Sequence, residues 1–255
     1  MHPLELAVPD QYHDIFDQRA GAYHDAMQRF PRARKNEFEA ILAISDIKAG
    51  QFIADIPSGG GYLVDYIEDA SVQVLAIESS WEFHARCQTS RRLQKLFTPM
   101  AKLQVDDNSV DTIVSIAGLH HVVDRQVIFG EFRRILKPGG KLCLADVRAG
   151  SPADGFLNKF VDAHNSMGHA GTFIDIHFKN DLEAVGLQIE LDNFIEYTWD
   201  FEHPAAMGEY ASLLFGLDRA SPMQVLQGIS KHTGYSEDRD GCHMNWGLEL
   251  IRCRS

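Results

Sequence analysis

Apolar positions along this chain repeat in two alternating periods. Within residues 12–47, Phe38, Ile41, Leu42 and Ile44 follow helical spacing. The helix breaks near Pro31 and stops at Lys48-Ala49-Gly50. Short apolar runs follow at 51–57, at 72–77 ending on Glu78, at 112–116 and at 141–147. Between them, helical periods cover 62–67, 81–93 and 125–136. Strands alternating with helices predict an α/β fold with a doubly wound, mostly parallel sheet, and near-continuous apolar strands fit burial on both faces. Further on, the pattern predicts helices at 154–167 and 177–185 and strands at 187–198 and 246–253. The stretch 200–245 reads as two helices and a Gly/Asp-rich loop, too long for a turn, and is expected to be an insertion covering a site. No repeat, low-complexity tract or linker interrupts the chain. One domain is expected over 1–255, divided into a helical lid (1–47), a core (48–150) and a cap with the sheet edge (151–255).

Composition narrows the function. Of 255 residues, 45% are hydrophobic and 24% charged, so a sizeable core is available without disulfide or metal staples. The formal net charge of −12 opposes binding to a phosphate backbone, so no nucleic-acid partner is expected. The densest basic run, Arg29 to Lys35, reads as a solvated helix start. Cys87, Cys143, Cys242 and Cys253 show no CxxC spacing; Cys143 and Cys253 sit in apolar runs and read as core. Met1 to Leu6 lacks the features of a signal peptide, and no run approaches a membrane span, so a cytoplasmic location with no membrane partner is expected. Oligomeric state, a homodimer included, is not readable.

Candidate chemistry begins at Asp55-Ile56-Pro57-Ser58-Gly59-Gly60-Gly61, which follows a strand and opens a helical segment. Glycines there let a backbone approach a ligand, and a helix N-terminus offers unpaired N–H groups to an anion. Glu78 ends the next strand, where a carboxylate accepts hydrogen bonds from the two ribose hydroxyls of an adenosine ligand.

From 51 to 148 the chain resembles the class I Rossmann-like S-adenosylmethionine-dependent methyltransferases, and is similar to the group that includes quinone-biosynthesis C-methyltransferases. Four motifs carry the resemblance in the family's order: Asp55 to Gly61, Ile77 to Phe83, Asp107 to Asp111 running into Ser115 to His121, and Glu131-Phe132-Arg133-Arg134-Ile135-Leu136-Lys137-Pro138-Gly139-Gly140. The resemblance implies S-adenosylmethionine as cofactor and an antiparallel edge strand. It implies that Pro57, Ser58, Gly59 and Gly61 line the cofactor and that Asp55 supports the loop and meets the amino group. Glu78 would bind the ribose, Ser79 pack beside the adenine, and the Ile116-Ala117 backbone meet the methionyl ammonium. Tyr23, four residues from Arg19 on the N-terminal helix, would close over it. Two departures stand out. Pro57 replaces the usual first glycine and removes an N–H. Thr98-Pro99-Met100 replaces the usual Gly-Asp-Ala, so an adenine would be held by backbone and apolar contacts.

Candidate catalytic residues are His120 and His121 after the third apolar run, and Asp146 with Arg148 after the fourth, where open α/β sheets bind ligands. Arg148 would hold an anionic acceptor. His164 and His169 match no strong zinc pattern and no cysteine joins them, so no metal is expected. The expected function is methyl transfer to a small molecule enclosed under a lid. Two alternatives remain: an enzyme using the same cofactor for other chemistry, and a cofactor-binding protein without turnover. An Asn-Pro-Pro-Tyr motif, the mark of nucleic-acid amino methylation, is absent; Ala117-Gly118-Leu119-His120 stands there.

Overall fold

The computed structural model of the chain describes residues 11–255. The signal-peptide reading of Met1 to Leu6 lies outside them. Two helices, α1 (Gln11–Arg29) and α2 (Lys35–Ser45), precede the first strand. The strands are β1 (Phe52–Asp55), β2 (Gln73–Glu78), β3 (Leu93–Phe97), β4 (Val110–Ile116), β5 (Leu136–Asp146), β6 (Gln188–Phe201), β7 (Tyr235–Asp238) and β8 (Gly241–Arg254). Between them lie α3 (Trp81–Arg86), α4 (Arg125–Ile135), α5 (Pro152–Gly155), a π-helical stretch (Phe156–Val161), α6 (Asp162–His164), α7 (Ile176–Ala184), α8 (Pro204–Phe215) and α9 (Pro222–His232). No helix among the described residues is long and apolar enough to cross a membrane.

All eight strands share one sheet in the order β3-β2-β1-β4-β5-β8-β6, with β7 paired to the start of β8. β1 to β5 are mutually parallel, whereas β8 runs antiparallel to both β5 and β6. This is the Rossmann-like sheet with an antiparallel edge. Successive side chains of the central strands enter different cores. Ile53, Val114, Cys143 and Ala145 join one cluster with Phe38, Phe156 and Trp199. Ala54, Ile113, Leu142 and Leu144 join the other, with Phe129, Phe132 and Phe178. Both faces are dry, which is why the strands read as unbroken apolar runs.

Three expectations need correction. The helix from Trp81 ends at Arg86, and Leu93–Phe97 is an edge strand instead. A turn separates them, in which the Ser90 hydroxyl accepts from the N–H groups of Arg92 and Leu93 at 3.2 and 3.1 Å. The Gly/Asp-rich loop holds β7 and its hairpin with β8. The basic run is not wholly solvated, because Arg34 is only 5% exposed and pairs with the buried Glu37. All four cysteines are buried and free.

Candidate active site

The C-terminal ends of β1, β2, β4 and β5 lie along one edge of the sheet, so Asp55, Glu78, Ile116 and Asp146 end in one row. The order reverses between β1 and β4, and the crevice there is where such sheets bind ligands. The turn after β1 carries Gly59 and Gly60 at φ of +58° and +109°, conformations that a side chain would strain. A Cβ on Gly59 would stand 3.4 Å from the Tyr23 hydroxyl, so this turn touches α1 directly.

Glu78 is the most constrained carboxylate of the row. It is 1% exposed and accepts hydrogen bonds from the Ser58 hydroxyl at 3.2 Å and the Gly59 N–H. The Tyr12 hydroxyl of α1 donates to it as well, 3.4 and 3.3 Å from its two oxygens. Burial pushes its carboxyl up to about 8, against the pull of these donors. Asp55 is also raised, by burial and then by the charge of Glu78. Asp55 Oδ2 and Ser79 Oγ are buried with no hydrogen-bond partner. Orphaned polar atoms at such depth are costly and point to a missing partner.

A crevice of about 40 Å³ lies at the ends of β1 and β4, walled by Tyr12, Phe16 and Tyr23 of α1, by Asp55, Pro57, Ser58 and Gly59, and by Ile116 and Ala117. A small-molecule site usually offers about 300 Å³ or more. The aromatic rings of α1 therefore fill the crevice in this conformation. Tyr23 lies edge-on to Phe83 and accepts a hydrogen bond from Arg34. Ala117 adopts φ +49°, uncommon for a residue with a side chain, at the point where β4 leaves the sheet. Pro57 fills the floor, and a Cβ on Gly118 would stand 2.4 Å from its ring. Gly61 differs from expectation: it lies beneath the turn at φ +82°, where a Cβ would also meet Cys87 Sγ at 2.7 Å, so backbone conformation and packing rather than ligand approach demand the glycine.

Phe16, Tyr23, Arg34 and Ala117 also wall a second cavity, of about 70 Å³, next to the first. Its other walls include His120, His121, His169, Arg19, Trp199 and Trp246. His120 Nδ1 lies 2.6 Å from Asp146 Oδ1, while the N–H groups of Leu119 and His120 donate to Asp146 Oδ2 at 3.1 and 3.2 Å. The Val147 N–H also donates to Oδ1. Asp146 is thus fully engaged and positions His120 rather than facing an acceptor. Burial drives His169 down to about 3, helped by the charges of His120 and Arg19, and burial lowers His121 well below its usual value. Arg148 lies outside the cavity, stacked 3.8 Å from the Phe194 ring centroid and 3.7 Å from Glu249. Its expected role on the acceptor has no geometric support, because β8 draws it to the sheet's outer edge. Roomier grooves of about 430 and 680 Å³ lie elsewhere, but neither reaches Glu78, His120 or the glycine turn.

Sequence reasoning missed Tyr12, Glu37, Trp199 and Trp246. Each reaches the site from a distant segment, and no local spacing signals it.

Residues 54–144 match the family described as a methyltransferase domain. Demethylmenaquinone methyltransferase of Paenarthrobacter aurescens (strain TC1) is 28% identical over 141 residues, covering 54% of this chain and 55% of that protein. The chain spans about half the length of the curated relatives it matches. Among solved structures, the cyclase SpnF superposes with a TM-score of 0.66 at 16% identity, covering 96% and 95% of the two chains. A phosphoethanolamine N-methyltransferase 2 of Haemonchus contortus, in complex with phosphomonomethylethanolamine and S-adenosylhomocysteine, gives 0.62 at 17% identity, covering 96% and 60%. These likenesses support the Rossmann-like fold.

Proposed function

We propose, from the premise that residues 54–144 carry an S-adenosylmethionine-dependent methyltransferase domain, that this chain transfers a methyl group to a small, partly apolar acceptor. The observation that carries the reading is the contiguity of the two cavities. The crevice beside Asp55 and the glycine turn shares the walls Phe16, Tyr23, Arg34 and Ala117 with the cavity of His120. The residues present fit the cofactor. Asp55 Oδ2 and Ser79 Oγ are orphaned where an amino group and an adenine would lie, and Glu78 ends β2 where ribose hydroxyls would donate. Bound there, the cofactor supplies a methyl group activated by an adjacent sulfonium charge.

The chain's own contribution is then positioning, exclusion of water and proton removal. Phe16 and Tyr23 close the crevice from α1, so the described N-terminal helices act as a lid. Trp199, Phe215 and Trp246 form an aromatic wall for a flat or apolar acceptor. Asp146 accepts from His120 Nδ1–H, which leaves Nε2 with a lone pair to receive the acceptor's proton as its nucleophilic atom is methylated. His121 packs against His120 at 4.1 Å between ring centroids and limits its rotation.

Calorimetric titration with S-adenosylhomocysteine is expected to give binding at a single site. Glu78→Ala should lose on the order of 2 kcal/mol of that affinity, since hydrogen bonds to a charged group are removed. Equal affinity in both proteins would overturn the assignment of Glu78. A second reading, other chemistry with the same cofactor, is favoured by the superposition with the cyclase SpnF. Mass spectrometry of the product separates the two: a gain of one methylene unit supports transfer.

A further inference from the structure

We propose that His120, His121 and His169 form a site for one divalent transition-metal ion of the zinc type, whose open coordination position faces the acceptor cavity. The inference rests on the geometry of the three histidines and stands whether or not a methyl group is transferred. The three imidazoles are buried, and each offers a nitrogen lying within 4.8 Å of the other two. They come from two places in the chain. His120 and His121 form the single 3-10 turn after β4, and His169 lies in the loop after α6. Their ring centroids stand 4.1, 5.2 and 5.6 Å apart.

The surrounding hydrogen bonds select the nitrogens that face one another. Asp146 takes the Nδ1–H of His120. The Asn158 amide is oriented by Gly171, whose N–H donates to Oδ1 at 2.9 Å and whose carbonyl accepts from Nδ2 at 3.0 Å. Asn158 Oδ1 is therefore an acceptor, so His169 Nδ1, 2.9 Å away, donates to it. Both rings are left with a bare Nε2 lone pair. A carboxylate or amide oxygen on the far nitrogen is the usual support for a metal-bound histidine.

The donor set selects the ion. Three neutral imidazoles without thiolate or direct carboxylate suit zinc, cobalt, nickel or iron in their divalent states, with a fourth position left open. Charge then selects what fills that position. Arg19 lines the same cavity, forms no ion pair among the described residues, and its Nε has no hydrogen-bond partner. An ion beside it calls for an anionic oxygen, and the tryptophan wall calls for an apolar body. The acceptor class is thus an apolar molecule with a phenolate, enolate or carboxylate oxygen. An ion on His120 Nε2 would take that nitrogen out of use as a base, so the acceptor would bind as its anion, having lost its proton to solvent.

The test uses the full chain without an affinity tag, stripped with chelator and titrated with Co²⁺ and with Zn²⁺. The expected result is one equivalent bound, with the intense visible absorption of four-coordinate cobalt. His169→Gln should abolish that band. Asn158→Ala, which removes only the support of His169, should weaken Zn²⁺ about 10- to 100-fold while leaving S-adenosylhomocysteine affinity unchanged. Absence of stoichiometric binding to protein that still binds S-adenosylhomocysteine would overturn the metal site and leave the proposed function standing. Binding that persists in His169→Gln would also overturn it. Metal binding by a chain that does not bind S-adenosylhomocysteine would support the site and count against the proposed function.

Discussion

At the scale of single residues, the site is governed by two carboxylates placed deeper than their charge favours. Glu78 has its folded-state pKa raised to about 8. The groups around it are Asp55 of β1 and Tyr12 and Tyr23 of α1. Between its unfolded value and about 8, the folded chain holds a proton that the unfolded chain has lost. Its contribution to stability therefore falls as pH rises through that window. Binding has the opposite sign, because ribose hydroxyls donate to the ionised carboxylate and draw its proton off. Affinity for S-adenosylhomocysteine should rise by up to about tenfold per pH unit on approaching about 8, then level off, with proton release visible by calorimetry in two buffers. A flat profile in the wild-type chain would refute this; Glu78→Gln should have one. Pro57 and Gly118 form a second residue-scale pair. Gly118→Ala should cost on the order of 1–3 kcal/mol in chemical denaturation, because its Cβ meets the proline ring. Adding Pro57→Ala should recover much of that loss.

At the scale of elements, α1 is the part whose position decides access. Tyr12 reaches Glu78 across 66 residues of sequence and donates to the carboxylate that a ribose would need. Phe16 packs on Phe83 and His121, so the same helix touches both cavities. A ligand entering the crevice must displace the Tyr12 hydroxyl. Tyr12→Phe removes that competitor and should tighten S-adenosylhomocysteine by up to about tenfold, the worth of one such hydrogen bond. Weaker binding in Tyr12→Phe would show instead that the hydroxyl contacts the ligand.

For the whole molecule, the join between the N-terminal helices and the antiparallel edge of the sheet matters most. The Glu37 carboxylate of α2 pairs with Arg34 and accepts from Tyr197 Oη and Trp199 Nε1 of β6, each at 3.0 Å. Arg34 in turn donates to Tyr23, which ties the edge strand to the crevice wall. Glu37→Ala leaves a guanidinium buried without its counter-charge and should cost about 3–5 kcal/mol in denaturant unfolding. A loss under about 1 kcal/mol would mean that Arg34 finds another partner.

Much of this was readable from the chain alone. The strands at 51–57, 72–78, 112–116 and 141–147, the glycine turn and Glu78 announce themselves because each depends on neighbours within a few residues. Burial on two faces yields apolar runs, and a turn with positive φ selects glycine. Where a segment's environment is set from afar, the local pattern misleads. Leu93–Phe97 carries two polar residues at a sheet edge and does not read as a strand, its first residue closing the expected helix, and Arg34 reads as solvated although it pairs with Glu37 one turn on and lies against Tyr23, Phe38 and Trp199. No local pattern marks His169, Asn158 or Tyr12 as a site residue. Their meeting with His120 and Glu78 follows from packing α1 and the 165–175 loop over the C-terminal edge of the sheet. Sequence therefore determined the scaffold and the row of residues that end its parallel strands, which are local matters of period and turn. Only the tertiary structure decided that three histidines share one cavity and that Tyr12 sits on the Glu78 carboxylate, because contacts between distant segments are set by how whole elements fill space.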